Sequence, residues 1–322
     1  MRSIRDVLSQ DGASLRTSLA LMPDEARIEV QMLLQHVLKV SRAWLLAHPE
    51  QVLDEAQAGA YAALLRRRLQ GQPIAYILGE REFFGLNFKV TPATLIPRPE
   101  TELLVELALK FTAELAEDAN GIGRGVQLPA PEPQAQAAKR APAEMNILDV
   151  GTGSGCIAVT LAVRLPPARL TALDISADAL ALARLNAQRH SVADRVTFVQ
   201  SDLLSNLQPR STSLRGQLSP ITNYHLLLAN LPYIPSDDFR RLPVAKHEPA
   251  LALDGGPGGL DLIRRLLADA PRVMVPHGRL LLEINDEKSA EAFDLARAAF
   301  PAAHVEIHKD LAGLDRVIAI SL

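Results

Sequence analysis

The sequence is short of cysteine and of unbalanced charge, and each shortage closes off a class of protein. One cysteine, Cys156, leaves no internal disulfide framework and suits a reducing compartment. With 34 Lys and Arg against 37 Asp and Glu, the formal net charge is −3. The chain as a whole therefore lacks the positive field by which proteins hold nucleic acid through its phosphates. No stretch runs to about 18 apolar residues without a charge, and the opening Met1-Arg2-Ser3-Ile4-Arg5-Asp6 has no apolar signal core. A soluble, cytoplasmic protein with no membrane segment is expected. What is plentiful is core material: 48% of the 322 residues are hydrophobic, enough for one large core and a second, smaller one.

Residues 3–70 carry helical spacing, clearest where Pro23-Asp24-Glu25 opens a run with Val30, Leu33, Leu34, Val37 and Leu38 on one face. This predicts a helical domain over residues 1–71. Gly71 ends it. Ile74-Ala75-Tyr76-Ile77-Leu78 and Asn87-Phe88-Lys89-Val90, on either side of a turn-rich 79–85, predict a β-hairpin within a 72–98 linker. The remaining domain, 99–322, alternates helical patterns with short apolar runs at 146–150, 170–173, 196–199, 225–229 and 280–284. Such alternation predicts an α/β fold, a mostly parallel sheet with helices on both faces. Residues 305–307 and 316–320, joined by too short a loop for a crossover helix, predict an antiparallel pair at one edge. Residues 116–144, rich in Ala, Pro, Gly and Gln, predict a flexible insert, and 205–222 an irregular loop.

Asn146-Ile147-Leu148-Asp149-Val150 runs into Gly151-Thr152-Gly153-Ser154-Gly155, and a helical pattern begins at Cys156. A strand, a glycine turn and a helix N-terminus in succession bring backbone close to a ligand at the carboxyl end of the first strand. A dinucleotide fingerprint would place a further glycine at Cys156; here the spacing is G-x-G-x-G, behind an acid at Asp149. Asp174 ends the next apolar run, where a carboxylate accepts from ribose hydroxyls, and Asp202 follows the third, placed for an adenine amino group. A tight turn and helix caps account for these residues singly; three acids at three successive strand ends favour the nucleoside of S-adenosylmethionine.

The fourth run ends in Asn230-Leu231-Pro232-Tyr233-Ile234-Pro235. An amide nitrogen is a poor nucleophile because its lone pair is delocalised. A site that methylates one must hold it in line with the methyl group and bind its two hydrogens with acceptors. The side-chain oxygen of Asn230 and a main-chain carbonyl beside Pro232 supply two acceptors, and Tyr233 offers a face on which a planar group stacks. Positioning and charge stabilisation carry such a step without an obligatory base. His304 and His308 flank a strand-like Val305-Glu306-Ile307 rather than sharing a helix face, so no metal site is expected. Arg66-Arg67-Arg68 reads as a solvated helix face.

These motifs resemble the amino-methyltransferases, and further segments resemble the HemK-type peptide chain release factor N5-glutamine methyltransferases in particular. They are Gly71-Gln72-Pro73-Ile74-Ala75-Tyr76-Ile77-Leu78-Gly79, Phe83-Phe84-Gly85, Leu95-Ile96-Pro97-Arg98-Pro99-Glu100-Thr101-Glu102, and Glu248-Pro249-Ala250-Leu251-Ala252-Leu253-Asp254-Gly255-Gly256. The resemblance spans nearly the whole chain. It implies a Rossmann-like class I methyltransferase domain, with a seven-stranded sheet and an antiparallel C-terminal strand, behind an N-terminal helical domain that helps recognise the substrate. It further implies S-adenosylmethionine as donor, S-adenosylhomocysteine as product, and as acceptor the glutamine of the GGQ motif in class 1 release factors. Asn230, Leu231 (through its carbonyl), Pro232 and Tyr233 would grip the glutamine amide; Asp149, Gly151, Thr152, Gly153, Ser154, Gly155, Asp174, Ile175, Asp202, Leu203 and again Asn230 would hold the donor. Arg98 and Glu100 either pin the hairpin or shape the donor site. Two departures stand out: Leu231 replaces the first proline of Asn-Pro-Pro-Tyr, and the family does not need the 116–144 insert. A ribosomal-protein glutamine is an alternative acceptor, and the Asn-Leu-Pro-Tyr form also resembles rRNA adenine methyltransferases.

Overall fold

The computed structural model describes residues 2–119, 145–207 and 224–322. Most of the predicted insert and of the 205–222 loop therefore lies outside the described residues, although 116–119 continue a helix. The chain divides into two compact units, Met1–Glu80 and Arg81–Leu322.

The first unit is helical: α1 (Ile4–Leu19), α2 (Pro23–Leu38), α3 (Arg42–Ala47), α4 (Glu55–Leu69) and α5 (Ile74–Leu78). Ser3 with Asp6, and Asp54 with Gln57, close reciprocal caps on α1 and α4, and Pro23 opens α2, where its missing N–H is no loss. Val7, Leu15, Val30, Leu34, Leu45 and Tyr61 meet in its core. Two expectations are corrected. Ile74–Leu78 is a helical turn, not a strand: Pro73 starts it, Gly79 at φ +78° ends it, and Ala75, Tyr76 and Ile77 are buried in succession. A short, wholly buried apolar run carries no periodicity by which to separate the two. Nor is Arg66-Arg67-Arg68 simply solvated, since Arg68 forks onto Glu29 at 2.7 and 3.0 Å and Arg67 bonds Gln72 at 2.9 Å.

The second unit begins with a hairpin, β1 (Glu80–Phe83) and β2 (Leu86–Lys89), turned through Phe84 and Gly85, both at positive φ. Then follow α6 (Glu102–Ala119), β3 (Asn146–Val150), α7 (Cys156–Arg164), β4 (Arg169–Asp174), α8 (Ala177–Arg189), β5 (Val196–Gln200), β6 (Tyr224–Ala229), α9 (Ser236–Phe239), α10 (Asp261–Asp269), β7 (Met274–Glu283), α11 (Ser289–Ala299), β8 (His304–Lys309) and β9 (Asp315–Ser321). The hairpin is fastened to this unit by Asn186 of α8, which accepts from Lys89 N at 2.8 Å and donates to the carbonyls of Lys89 at 3.0 Å and Ser154 at 2.8 Å.

Seven strands form one sheet in the order β5-β4-β3-β6-β7-β9-β8, with β3 to β7 parallel and β9 antiparallel to both its neighbours. Alternate residues of the buried strands feed opposite cores: Ile147, Leu226 and Leu228 face one, Leu148, Leu227 and Leu282 the other. The chain leaves β3 toward β4 and β5, then returns to β6 on the other side of β3. This reversal opens a crevice at the carboxyl ends of β3 and β6, where open α/β sheets bind ligands. Among the described residues no helix is long and apolar enough to cross a membrane.

Candidate active site

A cavity of about 700 Å³ occupies that crevice, within the range of small-molecule sites. On one side stands the glycine loop. Gly151 N and Thr152 N both donate to the Leu173 carbonyl, at 2.9 and 2.8 Å, folding the loop against the end of β4. Gly151, Gly153 and Gly155 all lie at positive φ, which L side chains rarely adopt. Thr152, Gly153 and Ser154 line the cavity beside Gly151. Asp174 stands against the loop: its Oδ2 accepts from Gly153 N at 2.8 Å and its Oδ1 from Ser176 N at 2.9 Å. Burial raises its pKa, which those backbone bonds partly oppose. Ile175, half exposed, and Leu203 give the wall an apolar face. Asp202 also lines it and pairs with Arg265 at 2.7 Å.

Three of the expected residues are not in the wall as the structure draws it. Asp149 is wholly buried behind the loop, its Oδ2 accepting from Thr152 Oγ1 at 2.6 Å and from Ala158 N at 3.2 Å. It thereby ties the glycine turn to the first turn of α7 and satisfies an amide left open at a helix start. Burial pushes its carboxyl up to about 7. Gly155 sits where α7 crosses α8, and a Cβ there would lie 3.1 Å from the Cβ of Ala183. Tyr233 stands beside Glu283, and burial, then that neighbouring carboxylate, push its phenol up to about 12.

Asn230, Leu231 and Pro232 do line the cavity, across from the glycine loop. The Asn230 Nδ2 donates to Thr101 Oγ1 at 2.9 Å. Leu231 turns its side chain into the core, and a Cβ on Gly151 would come within 3.1 Å of its Cδ2. The leucine thus packs residues 230–232 against the glycine loop.

The backbone of this segment is held by a second glycine loop. Ile234 N donates to the Leu253 carbonyl at 3.1 Å and Gly255 N to the Ile234 carbonyl at 2.8 Å. A Cβ on Gly255 would stand 2.6 Å from the Pro232 carbonyl oxygen, and one on Gly259 2.5 Å from that of Tyr233. Ala93, Thr94, Leu95, Pro97 and Arg98 form a further part of the wall. Buried Glu248 accepts from Ile96 N at 3.1 Å and pairs with Arg98 at 2.5 Å, so Arg98 pins this strap while itself lining the cavity.

Sequence reasoning missed Thr101, Glu283 and the 255–259 cradle. Glu283 did leave a signal, as the one acid inside Leu280-Leu281-Leu282-Glu283-Ile284. It is buried at the end of β7; Ala229 pairs with Leu282, which sets Glu283 level with Asn230. Burial pushes its carboxyl up to about 7, opposed first by hydrogen bonding from Thr101.

The sheet order, the glycine loop and an acid at the end of β4 define a Rossmann-like class I methyltransferase. Residues 15–79 match the family model described as PrmC N-terminal domain, and residues 135–214 that described as Methyltransferase small domain. A release factor glutamine methyltransferase of Chlorobaculum tepidum is 38% identical over 308 residues, 94% of each chain. That of Nitratidesulfovibrio vulgaris is 38% identical over 92% of this chain and 88% of its own. That of Coxiella burnetii is 36% identical over 95% of each. The chain belongs to the release factor glutamine methyltransferase family.

Proposed function

We propose that this protein transfers a methyl group from S-adenosylmethionine to the side-chain amide nitrogen of the glutamine in the GGQ motif of class 1 peptide chain release factors, in the cytoplasm. The residues present fit such a donor. Residues 151–154 offer main chain without obstruction, Asp174 keeps lone pairs free for a ribose diol beyond its two backbone bonds, and Ile175 and Leu203 give an apolar bed for a purine, with Asp202 at its edge. The donor supplies an electrophilic methyl carbon. Everything else falls to the chain: to hold the glutamine amide facing that carbon and to satisfy its hydrogens while its lone pair is used.

One observation carries the reading. With Nδ2 of Asn230 committed to Thr101, the end of that side chain available to the cavity is Oδ1, an acceptor. Oδ1 and the Leu231 carbonyl would take the two amide hydrogens, and Tyr233 would support the planar group from behind. Two acceptors on the same nitrogen raise its electron density, and the surplus proton leaves once the nitrogen is positively charged, so no dedicated base is needed. The names of the relatives support the same substrate, and residues 1–71 take a share in its recognition.

The test is incubation with labelled S-adenosylmethionine and unmethylated release factor, the same factor with its GGQ glutamine replaced, ribosomal proteins and RNA, with label located by mass spectrometry. Label is expected on that glutamine alone, reduced on the order of 100-fold or more in Asn230→Ala while donor binding persists. Label on RNA or on another protein would overturn the substrate.

A further inference from the structure

Two acids stand at the donor end of the cavity, and they are held in different ways. Asp174 has both carboxylate oxygens fixed by main-chain amides, Gly153 N at 2.8 Å and Ser176 N at 2.9 Å. Asp202 has no such amide. The hydrogen-bond partner of its carboxylate among the described residues is a side chain, Arg265, whose guanidinium donates to Oδ2 at 2.7 Å. Oδ1 is left without one.

The backbone around Asp202 is held firmly. Asn206 donates through Nδ2 to the Gln200 carbonyl at 2.7 Å and through its amide to Ser201 Oγ at 3.0 Å, and Ser205 N donates to the Asp202 carbonyl at 3.1 Å. Arg272 donates to the carbonyls of Leu204 and, at 2.9 Å, of Leu207. This network keeps Leu203 at φ +48°, in the left-handed region, which a leucine occupies only where its surroundings overdetermine it. It fixes where the Asp202 side chain starts, while the two side-chain torsions still decide where the carboxylate points. Arg265 settles that direction. It lies on α10 one turn on from Leu262, and both line the cavity. Ile263, Leu266 and Leu267 seat the same helix in the core, so the arginine reaches Asp202 from a fixed base.

We infer that Arg265 is a positioning residue that sets the donor site's choice of base: by taking Oδ2 of Asp202 it leaves Oδ1 to accept from the amino group of adenine. The inference rests on the donor proposed above, with Asp202 at the edge of its purine, and on nothing about the acceptor. A carboxylate accepts and does not donate. A purine with hydrogen in place of the amino group therefore leaves Oδ1 unpaired, and one with a carbonyl there sets two acceptors face to face. The ion pair itself, with side chains 53% and 46% accessible, does little for the fold. Its work is directional: a purine lying against it excludes water, and a fixed acceptor there discriminates better than a swivelling one.

The experiment titrates the full chain calorimetrically with S-adenosylhomocysteine and with its deamino analogue, which carries purine in place of adenine; no acceptor is needed. Wild type is expected to prefer the adenine compound on the order of 10- to 100-fold, the worth of a hydrogen bond to a charged group, and Asp202→Ala to lose that preference. In Arg265→Met, which keeps the aliphatic stem, S-adenosylhomocysteine should bind about 3- to 5-fold more weakly while the deamino analogue binds as it does to wild type. Arg265→Lys, which keeps the cation without the fork, should recover part of the loss. Equal weakening of both compounds in Arg265→Met would reduce the arginine to an anchor for the loop and overturn the inference, as would a preference unchanged from wild type. If Arg265→Met fails to fold, Arg265→Gln takes its place. A preference that survives in Asp202→Ala would remove that residue from the adenine edge and the inference with it. Failure of wild type to bind either compound would overturn the donor reading itself.

Discussion

Replacing Asp149 by asparagine should leave stability near pH 4 almost untouched and raise it at pH 8. The carboxyl is wholly buried, accepts from Thr152 and Ala158 through Oδ2, and has no partner for Oδ1 among the described residues. Desolvation pushes it up to about 7 in the folded protein, against about 3.9 in an unfolded chain. The folded state therefore keeps its proton where the unfolded state has lost it. The stability linked to this group is complete below about pH 4, falls as pH rises toward 7, and is flat above; from pH 4 to pH 8 the loss is on the order of 3 kcal/mol. Asparagine has the shape of the protonated acid and keeps an acceptor for both donors, so it escapes that loss. In a unit of this size the gain at pH 8 corresponds to roughly 6–12 °C in the midpoint of its thermal transition. Glu283, also held at about 7, imposes a slope of the same sign, so the variant should keep part of the pH dependence. Calorimetric scans of both proteins from pH 4 to pH 8 make the comparison. Parallel curves would refute the reasoning, because they would mean that Asp149 is ionised in the fold and stabilised by something other than the two donors.

Two further outcomes are expected. Leu231→Ala should cost about 2–5 kcal/mol in chemical denaturation, since it empties a buried site against Gly151, while methyl transfer falls less than in Asn230→Ala because the carbonyl of residue 231 remains; wild-type stability would deny the leucine its packing role. Cys156, buried and with its thiol pushed up to about 12 by desolvation, should resist alkylation at pH 8 in the native protein and react at once on unfolding, so rapid native labelling would contradict its environment.

The strands at 146–150, 170–173, 196–199 and 225–229 were legible because each is a short apolar run closed by a turn residue, and the antiparallel edge because 305–307 and 316–320 are too close in sequence for a crossover. The glycine loop was legible for the same reason: its chemistry is local. Periodicity says nothing about pairings between distant segments. Asn230 finds Thr101 from 129 residues away, and Arg98 finds Glu248 across 150. Asp149 was read as a donor ligand because it stands at a strand end, but whether an acid there faces outward or inward depends on one residue of strand register and on where α7 begins. Leu231 reads in the sequence as a backbone carbonyl and a missing proline, since its packing against Gly151 exists only once two loops have met.

The cradle formed by residues 255–259 bears on how this site is free to change. The Asn230 to Ile234 backbone and the second glycine loop lie main chain against main chain, each moulded on the other where a single methyl group would collide with a carbonyl. A side chain at Gly255 or Gly259 would have no room there, so stepwise drift on the glycine side of this wall is nearly closed. The strap at 93–98 is tied instead through the side chain of Glu248, to the Ile96 amide and to Arg98. Any lineage that adapted this scaffold to a new acceptor would have its open route there, on the wall fixed by a clasp rather than a mould.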